Sequence, residues 1–194
     1  MPRERREQLI LDVAGQVFAG AGFGSASMDE IADRAGVSKP MLYTYFGSKE
    51  GLYLAYIDRA GGELLERLVA ARAPDPTPAS MLRARITEFL SFVEEHGDGW
   101  RVLFQELASI RPFAEQVADM RERIAAAIQR MVEDGCPGYP PPAADAIAHA
   151  LVGAGESLAN WWLDHPEIPR AQVVVWYYDV VQAVVSGPGR PTAP

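Results

Sequence analysis

A chain of 194 residues with 48% apolar side chains and a formal net charge of -8 is one domain or two small ones, able to bury about 70% of its unfolded surface without a disulfide or metal staple. The single cysteine, Cys136, excludes an intrachain bridge and fits a reducing cytoplasm. The longest uncharged run, Val13 to Met28, is broken by glycines and is too short to span a membrane. The charged N-terminus has no apolar stretch of signal-peptide length, so a cytoplasmic protein without a membrane partner is expected.

In chain order, Leu9, Val13, Val17 and Ala21, with Ile10, Ala14 and Phe18 beside them, recur at helical spacing and predict a first helix closed by Gly22. Ser27 followed by Glu30 is a capping-box pattern that starts a second helix burying Ile31, Ala32 and Ala35. Gly36 permits a tight turn, Ser38 is placed to cap a third helix, and Pro40 falls in its first turn, where a missing N–H costs little. Proline and glycine clusters at 73–78, 97–99, 110–112 and 135–142 are loop signals between longer helices. Val117, Met120, Ile124, Ile128 and Met131 make one apolar stripe. Val173 to Tyr178 is β-branched and aromatic, which favours a strand, but Val173, Trp176, Tyr177, Val180, Val181 and Val184 continue as a helical stripe to Ser186. The expected fold is therefore all-α with about nine helices. Residues 1–50 form an N-terminal three-helix domain, 51–187 a helical domain, and 188–194 a disordered tail.

Two short helices joined by a glycine-bearing turn are a helix-turn-helix, whose second helix enters the DNA major groove. Leu42 and Phe46 share the face that anchors this helix, so Lys39, Pro40, Tyr43 and Thr44 project the other way. Lys49, beside the Ser48 cap, opposes the helix macrodipole and makes sense if a phosphate sits there. The chain has two lysines, and both are in this motif. Asp29, Glu30 and Asp33 would repel phosphate, which assigns them to capping and to the solvated side. Acidity as a total argues against nucleic acid, but it is unevenly placed. Residues 1–50 carry six basic and seven acidic side chains, and residues 51–194 carry twelve and nineteen.

Residues 22–53, with Gly22-Phe23, the Ser-capped helix containing Ile31-Ala32, then Ala35-Gly36-Val37-Ser38-Lys39, Leu42-Tyr43, Tyr45-Phe46 and Ser48-Lys49-Glu50, resemble the DNA-binding domain of the TetR family of bacterial transcriptional regulators. The resemblance runs from Ile10 to Tyr53. It implies that Lys39, Pro40, Tyr43 and Thr44 meet bases and adjoining backbone, and that Ser27, Ser38, Tyr45 and Lys49 meet phosphates. Met41, at a position that is usually small or polar, and Tyr45, where histidine is frequent, depart from common usage and bear on the operator sequence.

The family's C-terminal helices surround a small-molecule pocket and pair in a homodimer. Candidates for an apolar effector here are Phe89, Phe92, Trp100, Phe104 and Trp161, although aromatic residues at helical spacing are ordinarily core. For a homodimer through 143–186, Ala146, Ala150, Gly153, Ala154 and Ser157 allow close helix approach, and 169–186 adds a broad apolar face. His96, His149 and His165 have no metal-ligand spacing to each other or to Cys136, so neither metal nor cofactor is expected. A helical enzyme using Asp145, His149 and Glu156, and a protein-binding adaptor, are the readings from other classes, and the lysine-bearing helix-turn-helix weighs against both. The resulting expectation is a homodimeric repressor that binds a palindromic double-stranded DNA operator and is released by an apolar small molecule.

Overall fold

The computed structural model describes residues 2–102, 104, 111–135 and 138–186. Among them are nine α-helices: α1 (Arg3–Ser25), α2 (Met28–Ala35), α3 (Lys39–Phe46), α4 (Lys49–Ala70), α5 (Pro78–Glu95), α6 (Gly97–Arg101), α7 (Phe113–Gly135), α8 (Pro141–Leu163) and α9 (Arg170–Ser186). The described residues include no strand. Val173 to Tyr178 lies within α9, where Val173, Val174, Tyr177 and Val181 are buried at helical spacing. No helix among the described residues is long and apolar enough to cross a membrane. Cys136 and the tail expected to be disordered lie outside the described residues.

The chain divides into two compact units. The first takes residues up to Gly62 together with His96–Ala118, and the second takes Glu63–Glu95 and the chain from Asp119 onward. The expected boundary between residues 50 and 51 falls within the first turn of α4, and the units part further along that helix, after Gly62.

In the first unit the α1 stripe is the organising surface. Ile10, Ala14 and Phe18 are fully buried and Val17 nearly so, along with Ile31 of α2, Leu42 of α3, and Leu52, Tyr53 and Ile57 of α4. Burying an aliphatic side chain of this kind contributes roughly 1.5–3 kcal/mol. Phe18, Phe23, Tyr53 and Phe113 interlock, with ring centroids 4.7 Å apart for Phe18–Tyr53 and 4.9 Å for Phe23–Phe113.

One loop signal turns out differently, and the glycine expected to end the first helix behaves as expected. Gly97-Asp98-Gly99 was expected to be a loop, yet it opens the short helix α6. Gly99 is buried where a Cβ would collide with the Tyr56 hydroxyl, so glycine serves close packing there rather than helix breaking. Helix α1 extends to Ser25, but Gly22 within it has φ 72 and ψ 162, so the helical path breaks at the glycine expected to terminate it.

In the second unit α5, α8 and α9 pack on one another. Leu90, Ala144, Ala148, Ala159 and Val173 are fully buried. The Tyr177 hydroxyl donates to the Leu151 carbonyl at 2.8 Å, and burial pushes its phenol pKa up. Arg121 of α7 grips Glu156 of α8 with two bonds of 2.7 Å.

Candidate nucleic-acid interface

Helix α2 begins at Ser27, whose Oγ accepts from the Asp29 N–H at 3.2 Å. The reciprocal half of the expected capping box is not formed, because the Glu30 carboxylate turns along the helix to Arg34 at 3.3 Å. The helix ends at Gly36, whose φ of 64 and ψ of 34 put it in the left-handed region that costs other L-residues about 1–2 kcal/mol. The following amide, that of Val37, reaches back to the Ala32 carbonyl at 3.0 Å. Ser38 is extended and occupies the N-cap position of α3, but its side chain makes no capping bond. Its carbonyl, rather than its hydroxyl, engages the helix by accepting from Met41 and Leu42. Pro40 lies in the first turn.

Helix α3 is held by one fully buried side chain, Leu42, while Phe46 is half-buried. The opposite side carries Lys39, Pro40, Tyr43 and Thr44, all exposed. Tyr43 is 43% exposed, and a tyrosine ring left in water on an eight-residue helix offers contact area to something outside the chain. The Thr44 hydroxyl donates back to the Pro40 carbonyl at 2.9 Å, leaving its methyl group as the outward feature. Tyr45 is half-buried, and the Arg3 guanidinium lies over its ring, 5.3 Å from the centroid. The α1 N-terminus thereby comes beside α3. Lys39 pairs with Asp29 across the turn at 2.9 Å, so Asp29, in the capped and solvated position expected of it, also touches the first residue of α3.

Lys49 has partners other than the phosphate that the resemblance implies. Its ammonium donates to the carbonyl oxygens of Phe23, Gly24 and Ala26 at 2.8, 3.1 and 3.2 Å and lies 4.8 Å from the centroid of the Phe23 ring. An ammonium has three protons, and three carbonyls meet them. The start of α4 is capped separately by Ser48, whose Oγ accepts from the Gly51 N–H at 3.0 Å. Glu50, in that first turn, has its pKa lowered chiefly by hydrogen bonding to its own backbone amide and then by Ser48.

The five aromatic effector candidates are divided between the units. Trp100 and Phe104 are in the first, with rings 4.3 Å apart, and Phe89, Phe92 and Trp161 are in the second. Phe92 is buried beneath the Arg67 guanidinium. Trp161 is 41% exposed, stacks on His165, and lies 6.4 Å from the Trp176 ring. It joins Trp176, Val180 and Val184 of α9, all exposed, and a line of exposed residues on α8: Ala146, Ala150, Gly153 and Ser157. Exposed tryptophan and valine side chains thus stand on two helices that pack on each other, and exposed apolar groups that gather in this way mark interaction surfaces. Of the acid/base material considered for an enzyme, Glu156 is neutralised by Arg121. His149 stands on the exposed side of α8, 3.0 Å from the Asp145 carbonyl and 3.5 Å from Glu122.

Comparison with known proteins agrees with this geometry. Residues 10–56 match the family described as bacterial regulatory proteins, tetR family, and residues 78–184 match the tetracyclin repressor-like C-terminal domain. The chain is 35% identical over 166 residues to the HTH-type transcriptional activator FasR of Mycolicibacterium smegmatis, covering 85% of this chain and 75% of that protein. Its fold resembles the crystal structure of a TetR-like transcriptional regulator from Rhodococcus sp. RHA1, with TM-score 0.72 and 35% identity over 96% of this chain and 99% of that one. FadR from Bacillus subtilis, in complex with stearoyl-CoA, shares the fold at 18% identity, TM-score 0.73, covering 93% of this chain and 98% of that one. The chain belongs to the TetR family of helix-turn-helix transcriptional regulators.

Proposed function

We propose that this regulator acts as a homodimer on a palindromic operator, placing one α3 in each of two successive major grooves about 34 Å apart. The observation that carries the reading is the composition of the outer side of α3. Lys39, Pro40, Tyr43 and Thr44 are exposed on a helix whose other side is fixed by the fully buried Leu42. Ser27, Ser38 and Tyr45 border that side and are the positions from which a phosphate backbone is reached. Lys49 belongs to the same reading as a support: it ties the start of α4 to the end of α1 and so holds the motif's frame. The exposed face of α8 and α9 over 143–186 is where a second copy docks. This apposition closes the assembly through an isologous interface.

Repression follows from occupancy of an operator that overlaps a promoter. The 35% identity to FasR, named an activator, favours a second reading, in which the same DNA recognition raises transcription. Transcription from a promoter carrying the operator separates the two by its sign. An apolar small molecule bound among the helices of 51–187 sets DNA affinity by preferring a conformation whose α3 spacing no longer fits the grooves, since only differential affinity shifts such an equilibrium. The stearoyl-CoA bound by FadR makes a long acyl chain the first ligand to try.

Selection of bound duplexes from a random pool tests the core of the proposal. An enriched inverted repeat with half-site centres about 10 base pairs, or a multiple of that, apart is expected. Recovery of no common sequence would contradict it.

A further inference from the structure

Asp29 and Lys39 stand on opposite sides of the helix-turn-helix turn, the first in the opening turn of α2 and the second at the first position of α3. Their carboxylate and ammonium groups are 2.9 Å apart, and the side chains are 68% and 45% exposed. Helix chemistry accounts for an acid at the start of α2, but it does not account for this pairing. Glu30 occupies the same first turn, and its partner is Arg34 on its own helix. A pair this exposed adds little to stability. Its effect falls on what Lys39 can bind.

The carboxylate takes one of the three ammonium donors and limits the directions in which the other two point. A phosphate brought to Lys39 must either displace Asp29 or share the ammonium with a second negative charge at close range. A guanine edge presents acceptors without formal charge, O6 and N7, and meets much weaker repulsion. The hydrogen bond to Asp29 holds the Lys39 pKa above the ordinary lysine value, so the ammonium stays charged for either contact. The carboxylate therefore penalises the sequence-independent contact more than the sequence-dependent one.

We infer that Asp29 is a specificity-determining residue, withholding Lys39 from phosphates and directing it to a base edge. The inference rests on the DNA-binding reading above. Asp29→Asn keeps the shape and removes the charge, and Asp33→Asn removes the same charge elsewhere on α2, from an exposed position. The full-length variants are titrated with a random duplex and with the selected inverted repeat over a salt series, with helicity checked by circular dichroism.

Asp29→Asn is expected to bind random duplex about tenfold more tightly at low salt, with a salt slope steeper by about one phosphate. Its ratio of operator to random affinity should fall severalfold, and Asp33→Asn should move neither quantity. In a Lys39→Met background the Asp29→Asn effect should vanish. Equal shifts in the two asparagine variants, or no change in slope and ratio for Asp29→Asn, would overturn the role of Asp29 while leaving DNA binding intact. Failure of the wild-type chain to bind either duplex would overturn the DNA-binding reading and this inference with it.

Discussion

The Lys49 ammonium lies 2.8 Å from the Phe23 carbonyl oxygen, with the Gly24 and Ala26 carbonyls completing its donors. It fastens the first residue of α4 to the segment where α1 breaks at Gly22. Hydrogen bonds from a charged donor contribute about 1.5–3 kcal/mol where they are partly sheltered, and two of these three are part-buried. Lys49→Met should lower the unfolding free energy by about 1–3 kcal/mol in denaturant titration. The salt slope of DNA binding should stay unchanged under conditions where the variant is folded. A slope shallower by about one unit with unchanged stability would make Lys49 a phosphate contact instead.

Lys39 and Tyr43 carry the opposite expectation, because both are exposed and neither fills the core. Lys39→Ala and Tyr43→Ala should each leave stability within about 0.5 kcal/mol of wild type. Each should also lose discrimination at one operator position by about 1–3 kcal/mol. Binding of each variant to a panel of single-base operator substitutions measures this. Uniform weakening on every duplex would place the side chain on the phosphates.

Gly36 sets the angle between α2 and α3 through its positive φ of 64, and nothing lies within 4 Å of where its Cβ would be. Gly36→Ala should therefore cost conformational strain alone, about 1–2 kcal/mol. Gly36→Asn should cost less, since asparagine tolerates the left-handed region. Equal losses for alanine and asparagine in thermal unfolding would point to sterics that the backbone geometry does not contain.

His149 has its pKa raised from the ordinary 6.5, first by the hydrogen bond to the Asp145 backbone and then by Glu122, with both carboxylates adding charge attraction. A pKa raised by folding means that the stabilisation is fully present below the unfolded value near 6.5. It is lost as pH climbs through the higher folded value. A proton-resonance titration should place the His149 midpoint above 6.5, and Glu122→Gln should bring it down. An unmoved midpoint in Glu122→Gln would assign the shift to Asp145 alone.

What the sequence made legible divides by the range of the interactions. The start of α2 at Ser27, its end at Gly36, the placement of Pro40 and the burial of Leu42 depend on neighbours within a few positions, and periodicity and turn chemistry report such neighbours. α9 was legible too, since a valine- and tryptophan-rich segment without a strand partner continues its stripe as a helix. The partners of Lys49 are 23 to 26 positions away, and no local pattern announces them. Asp29 lies in the capped first turn of α2 with an exposed side chain, as its sign suggested, but its pairing with Lys39 depends on the angle at Gly36, which no local pattern announces. Gly99 was read as a breaker because the tight fit against Tyr56 that calls for glycine is a tertiary contact. The exposure of Trp161 beside Trp176 is likewise a tertiary result that aromatic spacing does not report.

The dimeric reading of DNA meets its most direct test in sedimentation of the full chain with the selected duplex, beside a duplex whose second half-site is scrambled. An even number of chains should bind the intact repeat. Binding to the scrambled duplex should be far weaker, and Val180→Glu, at a position 52% exposed on α9, should convert free dimer to monomer and abolish tight binding. One chain per duplex, or equal affinity for the intact and scrambled sites, would contradict recognition by paired α3 helices.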